Sequence, residues 1–246
     1  MPLYRDEALV LHCIDLGEAD RIITLLTKHH GRVRAVAKGV RKVRSRFGGR
    51  LEPFMRQDVL IATGRSLDVI SQSATIAAYA DAITQEYSCY IAANVIAEVA
   101  ESVVATLDEP DEEQYTLAVA AISALSRQLH HSLDITASYI LRALALAGWQ
   151  MRLDACVVCG RTDKLTSLSN ASGGVMCSLD RTPDARHIDQ GVLQTLKLWL
   201  AGNWQMLDTN AQEPLFDQTR HIALPIVEHW AQFYLEKPIR SARLLD

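Results

Sequence analysis

Within residues 31–56 the chain places Arg32, Arg34, Lys38, Arg41, Lys42, Arg44, Arg46, Arg50 and Arg56 against the single acid Glu52. That is a net +8 in a chain whose total is −4, so everything outside it sums to −12. Guanidinium and ammonium groups at this density neutralise phosphates and release their condensed counterions whatever the base sequence. The ligand they imply is a polyanion, nucleic acid first. A solvated surface loop is the competing reading of any charge run, and two details weigh against it. Arg32, Arg34 and Lys38 alternate with Val33, Ala35 and Ala37, and a period of two puts the cations on one face of a strand and the apolar residues on the other. Residues 38–50 then form a loop with Gly39, Gly48 and Gly49, where backbone can come close to a phosphate chain. The candidate nucleic-acid-binding residues are Arg32, Arg34, Lys38, Arg41, Lys42, Arg44 and Arg46, with Phe47 as a ring to stack on a base. If roughly six phosphates are held, affinity for a single strand falls several-hundred-fold between low and near-physiological salt.

The second group with chemical potential is Cys156, Cys159, Cys177 and Asp180, spaced C-x2-C-x17-C-x2-D. This is the frame of a four-ligand zinc site with its last thiolate replaced by a carboxylate. Three thiolates and one carboxylate complete a tetrahedron around Zn2+, with His187 as a competing fourth ligand. A knuckle without metal that stands on packing is the alternative, because a weaker fourth ligand lowers affinity. Any metal here is structural, since no open coordination position with a general base can be read off. The CxxC follows a helical stretch, not a strand of a βαβ unit, which argues against a thiol oxidoreductase. Only Glu52 and Asp58 lie near the cations, too few for two-metal hydrolysis, so an enzyme is not expected.

The elements that must position these groups fall into two parts. Residues 7–75 read as short β-branched runs divided by turns: 8–14, 21–27, the alternating 32–38, 55–62 and 67–73. Five strands with a basic third strand and loop suit a Greek-key barrel of the oligonucleotide-binding (OB) type. In that region Phe54 is expected in the core and His29 and His30 as polar turn residues. From residue 81 the apolar period lengthens to three and four, predicting helices over 81–107, 112–129, 132–149, 189–202 and 225–236. The fold class is therefore α+β: an N-terminal five-stranded OB barrel over residues 1–78, then an α-helical domain over 79–246 with a zinc-knuckle-like insert at about 153–187.

The composition, 49% hydrophobic and 22% charged, is that of an ordinary globular protein. No apolar run reaches membrane-spanning length, and residues 1–7 lack the basic start of a signal peptide. An odd number of cysteines is not a disulfide framework, and Cys13 and Cys89 read as small core hydrophobes. A cytoplasmic protein with no membrane and no small-molecule substrate is expected.

The stretch Gly31-Arg32-Val33-Arg34-Ala35-Val36-Ala37-Lys38-Gly39-Val40-Arg41, then Leu51-Glu52-Pro53-Phe54, the Gly148-Trp149 helix end, Cys156-x-x-Cys159 with Gly173-Gly174-Val175-Met176-Cys177, and Lys237-Pro238-Ile239-Arg240-Ser241 resemble the bacterial recombination mediator family RecO over nearly the whole chain. The resemblance implies an OB barrel and a helical domain that carries a zinc knuckle in many members. It implies DNA repair and homologous recombination: binding of single- and double-stranded DNA, annealing of complementary strands, and work with RecR and the acidic tail of single-stranded-DNA-binding protein so that RecA can load. The family's knuckle generally ends in a second CxxC, and Asp180 departs from that pattern. The reading from another class is an RNA-binding or translation-associated OB protein with a zinc ribbon.

Overall fold

A computed structural model of the chain describes residues 2–245. The described residues up to 129 and from 243 onward form one compact unit, and residues 130–242 form another. In the first unit β1 (Leu3–Leu16), β2 (Asp20–Thr27), β3 (Gly31–Ala37), β4 (Met55–Ala62) and β5 (Asp68–Ala78) close into a barrel of order β1-β2-β3-β5-β4. All pairings are antiparallel except β3 with β5, where Ala35 faces Asp68 and Val36 faces Val69. Irregularities at Val10/His12 in β1 and at two points between β4 and β5 add the local bend and twist that five strands need to close. The inward face supplies the core, including Val10, Ile23, Leu25, Ala35, Val59 and Ile61.

After the barrel come α1 (Ala80–Gln85), α2 (Tyr87–Val104) and α3 (Glu112–Ser126). Leu9, Leu11 and Leu26 are buried although they lie outside the barrel core, and α2 packs on β1 and β3. The continuous helix predicted from residue 81 is broken at Glu86, whose backbone is extended. The periodicity survives because Ile83, Cys89 and Val95 all stay buried across the break. Asp111 caps α3 by accepting from the Glu113 amide, with Glu112 and Glu113 in the first turn, where the positive helix end favours acids.

The β2–β3 turn is held by more than its polarity. Asp6, whose side chain is 0% exposed, accepts from the His29 backbone at 3.0 Å, from His29 Nδ1 at 2.9 Å and from His30 Nδ1 at 2.6 Å. The His30 ring packs on Tyr4, whose hydroxyl donates to Asp68 at 2.7 Å. Burial pushes the Asp6 carboxyl up, and the hydrogen bonds from His30 and His29 outweigh it, so its pKa lies below the ordinary value. A depressed carboxyl contributes stability that is complete above its unfolded pKa near 3.9 and is lost as pH falls through the lower folded value. The melting temperature of the native chain should therefore drop more steeply on the acid side of about pH 4 than that of Asp6→Asn. Parallel curves in a thermal melt series would remove this tether from the account.

In the second unit α4 (Ser132–Leu146), α5 (Gln190–Ala201), α6 (Trp204–Asn210) and α7 (Phe216–Leu235) are helical, and β6 (Leu165–Ser169), β7 (Gly174–Cys177) and β8 (Arg186–His187) form a small sheet of order β7-β6-β8. Arg220 of α7 reaches Asp134 of α4 with Nε and Nη2, each at 2.9 Å, and Trp199 Nε1 donates to the same carboxylate at 2.8 Å. This three-way contact is buried and satisfied, the condition under which a buried ion pair is tolerated. Sequence periodicity starts the last helix at Pro225, yet α7 begins at Phe216 and runs through that proline. Its first turns are retained because Phe216, Arg220, Ala223 and Leu224 are buried, which offsets the backbone hydrogen bond that proline cannot donate.

Candidate nucleic-acid interface and metal centre

On β3 the predicted alternation holds: Arg32 and Arg34 are exposed, as is Lys38 just beyond the strand, while Val33, Ala35 and Ala37 enter the barrel core. At about 3.3 Å per residue the three cations span about 20 Å of surface. The loop that follows is anchored at both ends. Gly39 donates its N–H to Asp20 Oδ1 at 2.7 Å, Arg41 donates its backbone N–H to the Ala19 carbonyl at 3.0 Å, and the Arg41 guanidinium reaches Gly17 O and Asp15. At the far end a 3-10 turn, Gly48–Leu51, buries Leu51, and Arg50 donates to the Arg46 carbonyl at 2.9 Å. Between these anchors Lys42, Val43 and Arg44 project into solvent.

The candidate cations differ in how much of their charge is free. Arg34, Lys38, Lys42, Arg44 and Arg46 are exposed and make no ion pair among the described residues. Arg32 lies 3.5 Å from Glu101 of α2, an acid that His12 also approaches at 3.4 Å. Arg41 lies 3.3 Å from Asp15. Both pairs are solvent-exposed and of the kind worth about 1 kcal/mol or less, so a phosphate can displace them, at some loss of net attraction. Arg65, exposed in the β4–β5 turn, adds a cation that the sequence reading passed over. Its place between Gly64 and Ser66 was the available signal.

Phe47 requires a correction. Its side chain is 2% exposed and belongs to the barrel core, with the Arg46 guanidinium 4.7 Å above the ring on the solvent side. Burying it closes the core where the loop returns, so no face is left for a base. Replacing Phe47 with Ala should cost about 3–5 kcal/mol of barrel stability, the usual cost of a large core aromatic. Chemical denaturation would show this, and a change below about 1 kcal/mol would mean the ring is not in the core. Phe54 is buried as expected, but in the left-handed region at φ 69°.

The four donors of the Cys-rich segment converge. Cys156, Cys159, Cys177 and Asp180 each offer an atom within 4.8 Å of all the others. Three backbone links assemble them. Val157 donates to the Val175 carbonyl at 2.9 Å, fastening the CxxC turn to β7; Gly160 closes that turn on the Cys156 carbonyl at 2.9 Å; and Asp180 turns back onto the Cys177 carbonyl at 3.3 Å. Gly174 is required for this approach, because a Cβ there would lie 2.2 Å from the Arg152 carbonyl oxygen. Cys156 and Cys177 are buried, Cys159 is exposed and Asp180 is half-buried. His187 sits on β8, outside the cluster. Cys159 and Cys177 have sulfurs 3.8 Å apart, close to the separation of two thiolates each about 2.3 Å from one tetrahedral zinc. Hydrogen bonds from Cys159, Cys177 and Cys156 hold the Asp180 carboxyl below the usual range, and Asp180 in turn pushes the Cys159 thiol up to about 11. A cation at the centre would replace those shared protons and deprotonate the thiols. The four donors are of the kind and spacing that can hold a metal ion.

Among the described residues no helix is long and apolar enough to cross a membrane. The family model described as Recombination protein O N terminal matches residues 1–79, and that described as Recombination protein O C terminal matches residues 85–243. This chain belongs to the RecO family. It is 52% identical over 246 residues to the DNA repair protein RecO of Bifidobacterium longum (strain DJO10A), with 100% of each chain covered. It is 39% identical over 246 residues to that of Thermobifida fusca (strain YX), covering 100% of this chain and 99% of the relative. To the protein of that name from Nocardioides sp. (strain ATCC BAA-499 / JS614) it is 38% identical over 247 residues, covering 99% of each. Membership in the RecO family favours recombination over the translation-associated reading.

Proposed function

We propose that this DNA repair and recombination protein works by stoichiometric binding, holding single- and double-stranded DNA by their phosphates on the barrel and bringing complementary strands together. What supports this most directly is the set Arg34, Lys38, Lys42, Arg44 and Arg46, exposed and without ion pairs among the described residues, on a chain that is otherwise acidic. Phosphate contacts of this kind position a strand without reading it. Two strands coated this way have their mutual repulsion screened, and base pairing then supplies the free energy. No bond is made or broken by the protein in this scheme, in keeping with the expectation that it is not an enzyme. The metal centre, with Zn2+ as the ion its three sulfurs favour, would cross-link the CxxC turn to β7 through Cys156, Cys159, Cys177 and Asp180 and take no part in DNA binding.

The cellular reading follows from the family. The protein would act in the cytoplasm on strands coated by single-stranded-DNA-binding protein, contact that protein's acidic tail, and with RecR allow RecA to load. Annealing can be tested with two complementary oligonucleotides carrying a fluorescence-transfer pair. The rate should rise with protein until the strands are saturated and fall again in excess. Complete annealing by protein present at a small fraction of the strand concentration would signal turnover and overturn the stoichiometric scheme.

A further inference from the structure

Grip on phosphate does not tell unpaired strands from paired ones, a distinction usually made by aromatic rings that stack on bases. The barrel offers none on its cationic side: Phe47 and Phe54 are buried, and Tyr4 is held by Asp68 and His30. We infer that Tyr87 and Tyr90, on the first turn of α2, form the base-stacking platform of this protein and confer selectivity for single-stranded over duplex DNA.

Tyr87 and Tyr90 are 69% and 41% exposed as residues, and neither hydroxyl is bonded to a described residue. At a spacing of three they share one face of α2. The Tyr90 ring meets Phe54 edge-on, centroids 6.2 Å apart. Phe54 lies three residues past the 3-10 turn Gly48–Leu51, whose Arg50 bonds the Arg46 carbonyl, so Tyr90 sits at the end of the connection that carries the cations and Tyr87 one helical turn away from it. A strand with a phosphate on Arg46 can then turn its bases toward α2. Of the acids on these two segments, Glu52 has its carboxylate engaged by Arg21 at 2.8 Å, and the exposed Glu86 beside Tyr87 accepts from the Ser88 hydroxyl at 3.2 Å. Paired bases inside a duplex cannot present their faces to these rings, so only single strands gain from them.

This inference rests on the phosphate-binding reading of the loop, and the test separates the two. Tyr87→Leu, the double variant Tyr87→Leu/Tyr90→Leu, and the matching Phe variants are compared with the native chain by fluorescence anisotropy, using an oligo-dT and a duplex of equal length over a salt series. Leucine at both positions should weaken oligo-dT binding by roughly five- to 150-fold per stacked base, with duplex affinity and the salt slope unchanged, and phenylalanine should restore it. Tyr87 contacts no other ring among the described residues, so its single variant reports stacking even where the double variant disturbs Phe54. Leucine variants that bind oligo-dT like the native chain overturn the platform while a charge-reversed loop still loses binding. Equal losses on single strand and duplex also overturn it. If neither the leucine nor the charge-reversed variants lose binding, the phosphate-binding reading falls with it.

Discussion

Replacing Arg34, Lys38, Lys42 and Arg44 together by Glu is expected to abolish retention of a labelled oligonucleotide in a gel shift while leaving the fold in place. The native chain, with about five phosphates held by unpaired cations, should show a log–log salt slope of about −3.5 on single strands, or about a hundredfold loss between about 50 and 200 mM salt. The variant removes four of those five attractions and sets repulsive charges in their place, so the slope should collapse toward zero. None of the four side chains is buried or paired with a described residue, and surface changes of that kind usually stay within about 0.5 kcal/mol each. Unchanged circular dichroism and melting are therefore expected alongside the lost binding. A variant with the native salt slope would show that the phosphates are held elsewhere. The converse also holds: Glu101→Gln, which releases Arg32 from its acid, should strengthen binding and steepen the slope.

The second large effect concerns the metal centre. The purified chain should carry about one equivalent of metal by elemental analysis, and Cys156→Ala should lose it, because removing a buried thiolate leaves only three donors. Structural zinc in finger peptides contributes about 10–16 kcal/mol to folding at neutral pH. A site with one carboxylate in place of a thiolate should sit below that range, so loss of metal should still cost several kcal/mol and expose the CxxC turn to proteolysis. Asp180→Cys should bind more tightly and resist a chelator that strips the native chain. Should the native chain prove metal-free and as stable as when loaded with zinc, the four donors are a packing cluster and no more.

What could be read from the sequence was local. The basic strand was legible because its cations and small apolar residues alternate without interruption, and the Cys-rich centre because metal-ligand spacing is short and rigid. Asp180 could be weighed against His187 in the sequence, but only the path of β8 puts His187 outside the cluster. Phe47 was misread because a ring between Arg46 and Gly48 looks like part of a solvent loop, whereas the chain folds back there and the core takes the ring. The partners of Arg32 and Arg41 were hidden for a similar reason: Glu101 is 69 residues away from Arg32, and no periodicity encodes that meeting. His29 and His30 looked like turn filler since nothing near them announces that Asp6, on the neighbouring strand, is buried beneath them. The short α6 went unseen because seven residues carry too little apolar period, though Asn203 caps it through the Met206 amide at 3.2 Å.

The parallel seam of the barrel has a further consequence. Because β3 meets β5 only at Ala35 and Val36, the first half of β3 has no described strand on that side, the kind of border that can recruit a strand from another molecule. Charged side chains on such a border discourage that recruitment. Arg32 and Arg34 would then keep the protein dispersed when no polynucleotide is present. Trimming them to alanine would invite clumping that could pass for a loss of affinity, whereas glutamate preserves the mutual repulsion between copies.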